Sequence, residues 1–185
     1  MVDDVATRPI NSSHMATHGT EQVPQPAGAA APTKDVEYFR TFLREGGPGP
    51  NAHVILLGLT VFDTPDLLKA INKGFTYQTF QRFQRNIALP LESVMTLVNI
   101  PRRTLTRRKH EGRFAPEESD RLVRASRVYG KALELFEGNV SAASNWLLAP
   151  QRGLGGAVPL ALAQTDIGSR EVERLIGRLE HGVFA

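Results

Sequence analysis

Cysteine is absent from the 185 residues of the chain, and long apolar runs are absent as well. Without thiols there can be no disulfide framework, no thiolate metal site and no cysteine nucleophile. No stretch approaches the ~18 consecutive apolar residues of a membrane-spanning helix. The chain begins with Asp3 and Asp4, whereas a secretory signal would have basic residues followed by an apolar run. We therefore expect a cytoplasmic protein with no membrane partner.

Acidic residues are scarce in one part of the chain. The net charge is only +3, yet residues 82–113 contain eight lysines and arginines against two acids, Glu92 and Glu111. The positive charge is thus concentrated there, and the remainder of the chain is net acidic. A basic stretch of this density is typical of a surface that binds a polyanion such as DNA.

The N-terminal residues are poor in large apolar side chains and rich in proline, alanine and glycine. Such a composition buries too little surface to offset the entropy lost on ordering, so we predict a disordered tail over residues 1–50. Asp35 could cap a short amphipathic helix within this tail, before the breaking sequence of residues 46–50. The ordered fold is expected to start near Ala52.

Beyond Ala52 the apolar spacing is helical, which predicts an all-α fold. The short run Val54–Leu59 is the exception, since its composition suits an isolated strand or an extended lead-in, although no partner strand follows. Proline and glycine boundaries predict the helices. They are expected at residues 64–73, 76–86, 90–98, 101–110, 116–136, 141–148 and 169–181, with a further turn at 160–163.

Two of these helices meet at Asn99-Ile100-Pro101, where Asn99 can adopt the left-handed conformation of a tight turn. This spacing predicts a helix-turn-helix unit, within a DNA-binding domain over residues 51–115. The second helix has one large apolar side chain, Leu105, so its remaining faces must meet solvent or a polyanion. The alternative is that this helix is purely structural and that its basic face only meets solvent. The candidate DNA-binding residues are Arg102, Arg103, Thr104, Thr106, Arg107, Arg108, Lys109 and His110.

Other motifs offer no catalytic chemistry. The glycines of Gly153-Leu154-Gly155-Gly156 lack the Lys-Ser/Thr and the preceding strand of a phosphate-binding loop, so a tight turn explains them better. The acids Glu117, Glu118 and Asp120 suit the first turn of a helix. The histidines are scattered. We expect no cofactor, no metal and no enzymatic activity.

The C-terminal part of the chain resembles a known family. Its Ala-x-x-Trp-Leu, Pro, Leu-Gly-Gly, Pro-Leu, Gly, Val, Leu and Gly-x-Phe pattern is similar to that of the Xre/MbcA/ParS antitoxins. The matching positions are Ala143, Trp146, Leu147, Pro150, Leu154, Gly155, Gly156, Pro159, Leu160, Gly168, Val172, Leu179, Gly182 and Phe184. Upstream, Thr104-Leu105-x-Arg107-Arg108, Gly112-Arg113 and residues 117–122 extend the resemblance, which covers about residues 54–185.

The resemblance implies the antitoxin of a type II toxin–antitoxin pair, with an Xre-like helix-turn-helix domain followed by a toxin-binding and dimerisation domain over residues 116–185. The implied partners are operator DNA, a second copy of the chain and a cognate toxin. That toxin is commonly a RES-domain protein acting on NAD, whose active site the antitoxin covers. The antitoxin would also repress its own operon. A dimeric helix-turn-helix regulator without a toxin partner is the alternative.

The last helix and the residues after it are the predicted toxin-binding end. An apolar stripe that includes Val172 and Ile176 would dock on the domain, so the opposite face and the tail would project. An aromatic side chain beside a chain end often serves an interface, although Phe184 could instead fold back over Trp146. The candidate toxin-binding residues are Arg178, His181, Gly182, Val183 and Phe184.

Overall fold

The computed structural model describes residues 32–182, and this part of the chain is built from helices without a β-strand. A single antiparallel bridge joins Thr76 to Arg113. None of the described helices has the length and apolarity needed to cross a membrane. The α-helices are α1 (Lys34–Glu45), α2 (Thr64–Lys73), α3 (Tyr77–Asn86), α4 (Leu91–Val98), α5 (Arg102–Glu111), α6 (Pro116–Leu135), α7 (Val140–Leu148), α8 (Pro159–Leu162) and α9 (Asp166–Glu180).

Helix α1 is the short amphipathic helix predicted after Asp35, and its packing corrects the predicted disorder of this segment of the tail. Residues 34–45 are ordered, and Val36 and Phe39 are only 1% and 4% exposed. The helix is stable because it docks an apolar face and fixes its start to α3, where Arg82 donates two hydrogen bonds of 2.6 Å to Asp35. Its N-cap is Thr33 rather than Asp35. Residues 1–31 of the predicted tail lie outside the described part of the chain.

The run that suited a strand is instead a 3₁₀ helix over Ala52–Leu57. Val54 and Leu56 are fully buried, since the segment is packed between α1, α3 and α6. With no neighbouring strand to pair with, its backbone groups bond locally, and Gly58 closes the segment by donating to the Ile55 carbonyl at 2.8 Å. The prediction of extended structure over Val54–Leu59 is therefore wrong.

Helix α6 forms the centre of the core. Leu122, Val128 and Ala132 are fully buried, and the buried apolar cluster continues from α1 through α6 to α9. Tyr129 is also buried, and its hydroxyl donates to the Ile87 carbonyl at 2.8 Å, which ties α6 to the end of α3. The N-terminal and C-terminal halves of the described chain thus share one core, with α6 belonging to both.

Helix α9 starts three residues earlier than predicted. Thr165 caps it by accepting a 3.0 Å hydrogen bond from the Gly168 amide. A Cβ at Gly168 would collide with the Leu162 carbonyl of α8, so the close approach of α8 and α9 requires glycine there. This contact places the last helix against the rest of the C-terminal half.

Candidate DNA interface and C-terminal site

The turn between α4 and α5 has the predicted geometry. Asn99 has φ 49° and ψ 49°, which confirms the left-handed conformation expected at this position. The Ile100 amide donates to the Met95 carbonyl at 3.1 Å, and the Ile100 side chain is buried. Arg121 of α6 donates to the Asn99 carbonyl at 3.0 Å and closes the turn from outside. The angle between α4 and α5 is therefore fixed by the left-handed Asn99, by the buried Ile100 side chain and by the hydrogen bond from Arg121.

Helix α5 is held to the domain by little packing. Leu105 is its only buried residue, as the sequence predicts. Pro101 at the N-cap has no side chain that can accept a hydrogen bond, and no acidic residue lies in the first turn. The first backbone amides of α5 therefore have no capping side chain to accept their hydrogen bonds. Amide groups and the positive end of the helix dipole both favour a phosphate.

The predicted outward face of α5 is exposed. Arg103, Arg107 and His110 all lie on the surface, opposite the buried Leu105. Lys109 is also exposed, but it lies four residues after Leu105 and therefore nearer the packed side of the helix. The structure thus brings Arg103, Arg107 and His110 to one side of a single helix, where a polyanion could reach them together.

Two of the exposed arginines are paired with surface acids. Arg102 bonds to Glu92 of α4, and Arg107 lies 3.7 Å from Glu111. All four side chains are at least 45% exposed. Exposed pairs of this kind contribute about 0–1 kcal/mol, so phosphate oxygens can replace the carboxylates at small cost.

The two threonines of α5 differ from each other. Thr106 is exposed, but its hydroxyl donates to the Arg102 carbonyl within the helix at 3.1 Å. Thr104 is half-buried beside Leu105. Both flank the basic face, as their predicted positions at its sides require.

Arg108 differs from the other predicted DNA-binding residues because its guanidinium is paired within the chain. Its Nε and Nη2 donate to Glu118 at 2.6 and 3.0 Å, and its Nη1 donates to Glu111 at 2.5 Å. All three guanidinium nitrogens therefore bond within the chain, and the side chain is only 18% exposed. The hydrogen bonds that Arg108 donates to Glu118 and Glu111 raise its pKa above the usual value. The sequence places Arg108 on a basic helix but does not reveal that α6 brings an acid to it.

Arg113 was not among the predicted residues although it follows α5 directly. It is exposed, and its guanidinium donates to the Gly74 carbonyl. The adjacent Phe114 amide donates to the Phe75 carbonyl at 2.8 Å, which ties the end of the helix-turn-helix unit to the α2–α3 connection. Partners 39 to 40 residues away leave no local signal in the sequence.

The predicted toxin-binding end lies partly within the described residues. Val172, Leu175 and Ile176 are buried as expected for the inward stripe of α9. Arg178 does not project freely, because it is half-buried and donates to the Gly153 carbonyl at 3.4 Å. His181 is exposed. Of the remaining candidates, Gly182 is exposed, whereas Val183 and Phe184 lie outside the described residues.

The glycine-rich loop at this end is a tight turn. Gly155 and Gly156 both have positive φ, and the Gly156 amide donates to the Gln151 carbonyl at 3.0 Å. A Cβ at Gly153 would approach a terminal methyl of Leu175 to 2.5 Å, so a larger residue there would displace that side chain of α9. The turn explains the motif without a phosphate ligand.

Exposed apolar side chains lie at the C-terminal half. Ile167 of α9 is 78% exposed and Leu148 of α7 is 40% exposed. Trp146 is half-buried and packs on Phe136 with the ring centroids 6.4 Å apart. The tryptophan thus contributes to the core while retaining an exposed edge, and the two apolar residues were not singled out by the sequence pattern.

Comparison with known proteins finds a matching protein family for each half of the described chain. Residues 66–127 match the antitoxin Xre-like helix-turn-helix domain, and residues 131–182 match the antitoxin Xre/MbcA/ParS C-terminal toxin-binding domain. The two matches meet within α6, the helix shared by both halves of the core.

Full-length relatives agree with these domain matches. An Antitoxin Xre of Yersinia enterocolitica is 40% identical over 130 residues, which cover 70% of this chain and 88% of the relative. An Antitoxin Xre of Photorhabdus laumondii is 32% identical over 122 residues, covering 65% and 82% respectively. A third, from Pseudomonas putida, is 29% identical over 100 residues, covering 54% and 60%. With its helix-turn-helix unit and its C-terminal toxin-binding domain, the chain belongs to the Xre family of antitoxins.

Proposed function

We propose that this antitoxin neutralises a RES-type toxin that acts on NAD, by covering the active site of that toxin. We further propose that it represses its own operon as a homodimer in the cytoplasm. It acts by binding two partners, DNA and toxin, and not by catalysis. The observation that carries the proposal is the separation of two unlike surfaces in one chain, namely the basic face of α5 and the apolar C-terminal end.

The DNA-binding role is assigned to Arg103, Arg107, Lys109 and His110, with Arg102 and the two threonines at the margin of the face. All four side chains are exposed, and Arg103, Arg107 and His110 lie opposite Leu105, the residue through which the helix packs on the domain. Arginine forms bidentate hydrogen bonds with guanine edges and with phosphates. One such helix has a small footprint, so two copies related by a two-fold axis would read a two-fold operator.

The toxin-binding role is assigned to the C-terminal end, through Arg178, His181 and residues 182–184. The exposed Ile167 adds an apolar anchor on the same helix. A partner surface that covers Ile167 and Leu148 would remove two large apolar groups from water. We therefore place the toxin against the α7 and α9 side of the C-terminal half.

Co-expression with the adjacent toxin gene tests the proposal. Cells that carry both genes should grow and keep their NAD, and the two proteins should purify together. Light scattering of the free chain should report twice 20.3 kDa. Failure of the toxin to co-purify, together with intact operator binding, would instead favour a helix-turn-helix regulator without a toxin partner.

A matched pair of variants resolves the two surfaces. Ile167→Asp should weaken the toxin complex and leave operator binding unchanged, because it places a charge in the proposed apolar contact. Leu68→Asp is the control, since Leu68 is 54% exposed on α2, away from the C-terminal end. The proposed toxin surface is wrong if both variants protect cells equally well.

A further inference from the structure

Helix α5 is connected to α6 by a nearly buried ion pair. Arg108 donates to both carboxylate oxygens of Glu118, and the two side chains are 18% and 11% exposed. This geometry is bidentate, the arrangement in which arginine binds a carboxylate with the greatest directional precision. It differs in burial from the Arg102–Glu92 and Arg107–Glu111 pairs, whose side chains are exposed.

Glu118 is itself held in place by the backbone. Its Oε2 accepts a 2.8 Å hydrogen bond from the Ala115 amide, in the first turn of α6. The next residue, Ser119, is fully buried, and its hydroxyl accepts from the Phe75 amide at 2.8 Å. The carboxylate is therefore a fixed point on the core rather than a mobile surface group.

Packing alone fixes the rotation of α5 poorly. Leu105 is its only buried side chain, and a helix held by one apolar contact can roll about its axis. Arg108 lies three residues after Leu105, on the same side of the helix. The Arg108–Glu118 pair thus supplies a second, directional attachment on the buried side of α5.

We infer that the Arg108–Glu118 pair is a latch that sets the orientation of α5, so that Arg108 is a positioning residue for operator binding and not a DNA contact. The latch would hold Arg103 and Arg107 in register with the DNA groove. This inference rests on the proposed DNA-binding role of α5. It also names α6, which continues into the toxin-binding domain, as the element that supports the DNA-binding helix.

Neutralising the carboxylate of Glu118 tests the latch, because the latch and simple electrostatics predict opposite changes in the affinity for operator DNA. Glu118→Gln removes a negative charge near DNA, which by charge alone should strengthen binding to a polyanion. The latch predicts weaker operator binding, on the order of tenfold, because the amide has no charge and only one acceptor oxygen, so the bidentate ion pair that orients α5 is lost. Glutamine retains an oxygen for the Ala115 amide, so α6 keeps its N-terminal bond.

Glu117→Gln is the matched control. Glu117 is the adjacent acid, is exposed, and lies in the same first turn of α6, so its replacement changes the charge and the helix dipole in the same way. It should bind operator DNA as tightly as the wild type or more tightly. Equal or tighter binding by both variants would overturn the latch.

The salt dependence of binding separates positioning from contact. Arg107→Met should lower the slope of log K against log salt by about 1, as loss of a phosphate contact does. Arg108→Met should weaken binding with an unchanged slope, because the guanidinium that it removes pairs with Glu118 and not with a phosphate. A lower slope for the Arg108 variant would identify it as a DNA contact and overturn the inference.

The same series separates this inference from the proposed function. If the wild type fails to bind the DNA upstream of its gene and Arg107→Met changes nothing, the DNA-binding role of α5 fails. If the wild type binds and Glu118→Gln binds equally well, only the latch fails. Melting temperatures of all variants verify folding, and Arg108→Met decides the latch if Glu118→Gln is unfolded at the temperature of the assay.

Discussion

The buried histidine of the 3₁₀ helix makes the stability of this protein depend on pH. His53 is 8% exposed, and its Nε2 has no hydrogen-bond partner among the described residues. Burial, followed by the charges of Arg127 and Lys131, lowers its pKa from 6.5 to about 4. Between these values the unfolded chain binds a proton that the folded chain does not. The free energy of unfolding therefore decreases as the pH falls from about 6.5 to about 4.

The magnitude follows from the two pKa values. Their difference corresponds to about 3 kcal/mol in total, of which about 2 kcal/mol should be lost between pH 7.5 and pH 5. Urea unfolding at these two pH values, at constant ionic strength, measures the change. His53→Leu should lose about 2 kcal/mol less than the wild type, since leucine cannot bind a proton.

The reasoning is refuted if His53→Leu and the wild type lose the same stability over this range.

Three other perturbations follow from the structure. Replacing Arg103 and Arg107 with alanine should weaken operator binding by about 1–3 kcal/mol per specific contact, measured by fluorescence anisotropy, with toxin protection intact. Asp35→Asn should lower the free energy of unfolding by about 1–2 kcal/mol, because it removes the charge that pairs α1 with the half-exposed Arg82. Urea unfolding measures this change, and an unchanged urea midpoint would contradict it. Deleting residues 181–185 should abolish growth protection at an unchanged melting temperature, whereas early melting would assign these residues to the core.

Local chemistry made much of the fold predictable. The Thr64-Pro65 and Pro116 starts, the Asn99 turn and the apolar stripe of α9 each depend on a few neighbouring residues, and all appear in the structure. The exposed face of α5 was predictable for the same reason. Helical periodicity and one apolar residue, Leu105, are sufficient to assign its two sides.

The remaining features depend on distant residues. Helix α1 is short, and it is ordered because Asp35 meets Arg82 and the apolar face meets the core, which its own composition does not reveal. A continuous buried run such as Val54–Leu57 has no periodicity to separate strand from helix. Arg108 looks like its neighbours until α6 places Glu118 against it. Composition predicted the charge of this face, and tertiary contacts decided which arginines remain available.

The central claim is that one chain neutralises a toxin and binds DNA through separate surfaces. The most direct test titrates the NAD-consuming activity of the purified cognate toxin with the purified chain, wild type and Arg103→Ala/Arg107→Ala in parallel. The account predicts that both proteins suppress NAD consumption completely and with the same saturable dependence on concentration. Continued NAD consumption in the presence of excess wild-type chain would contradict it.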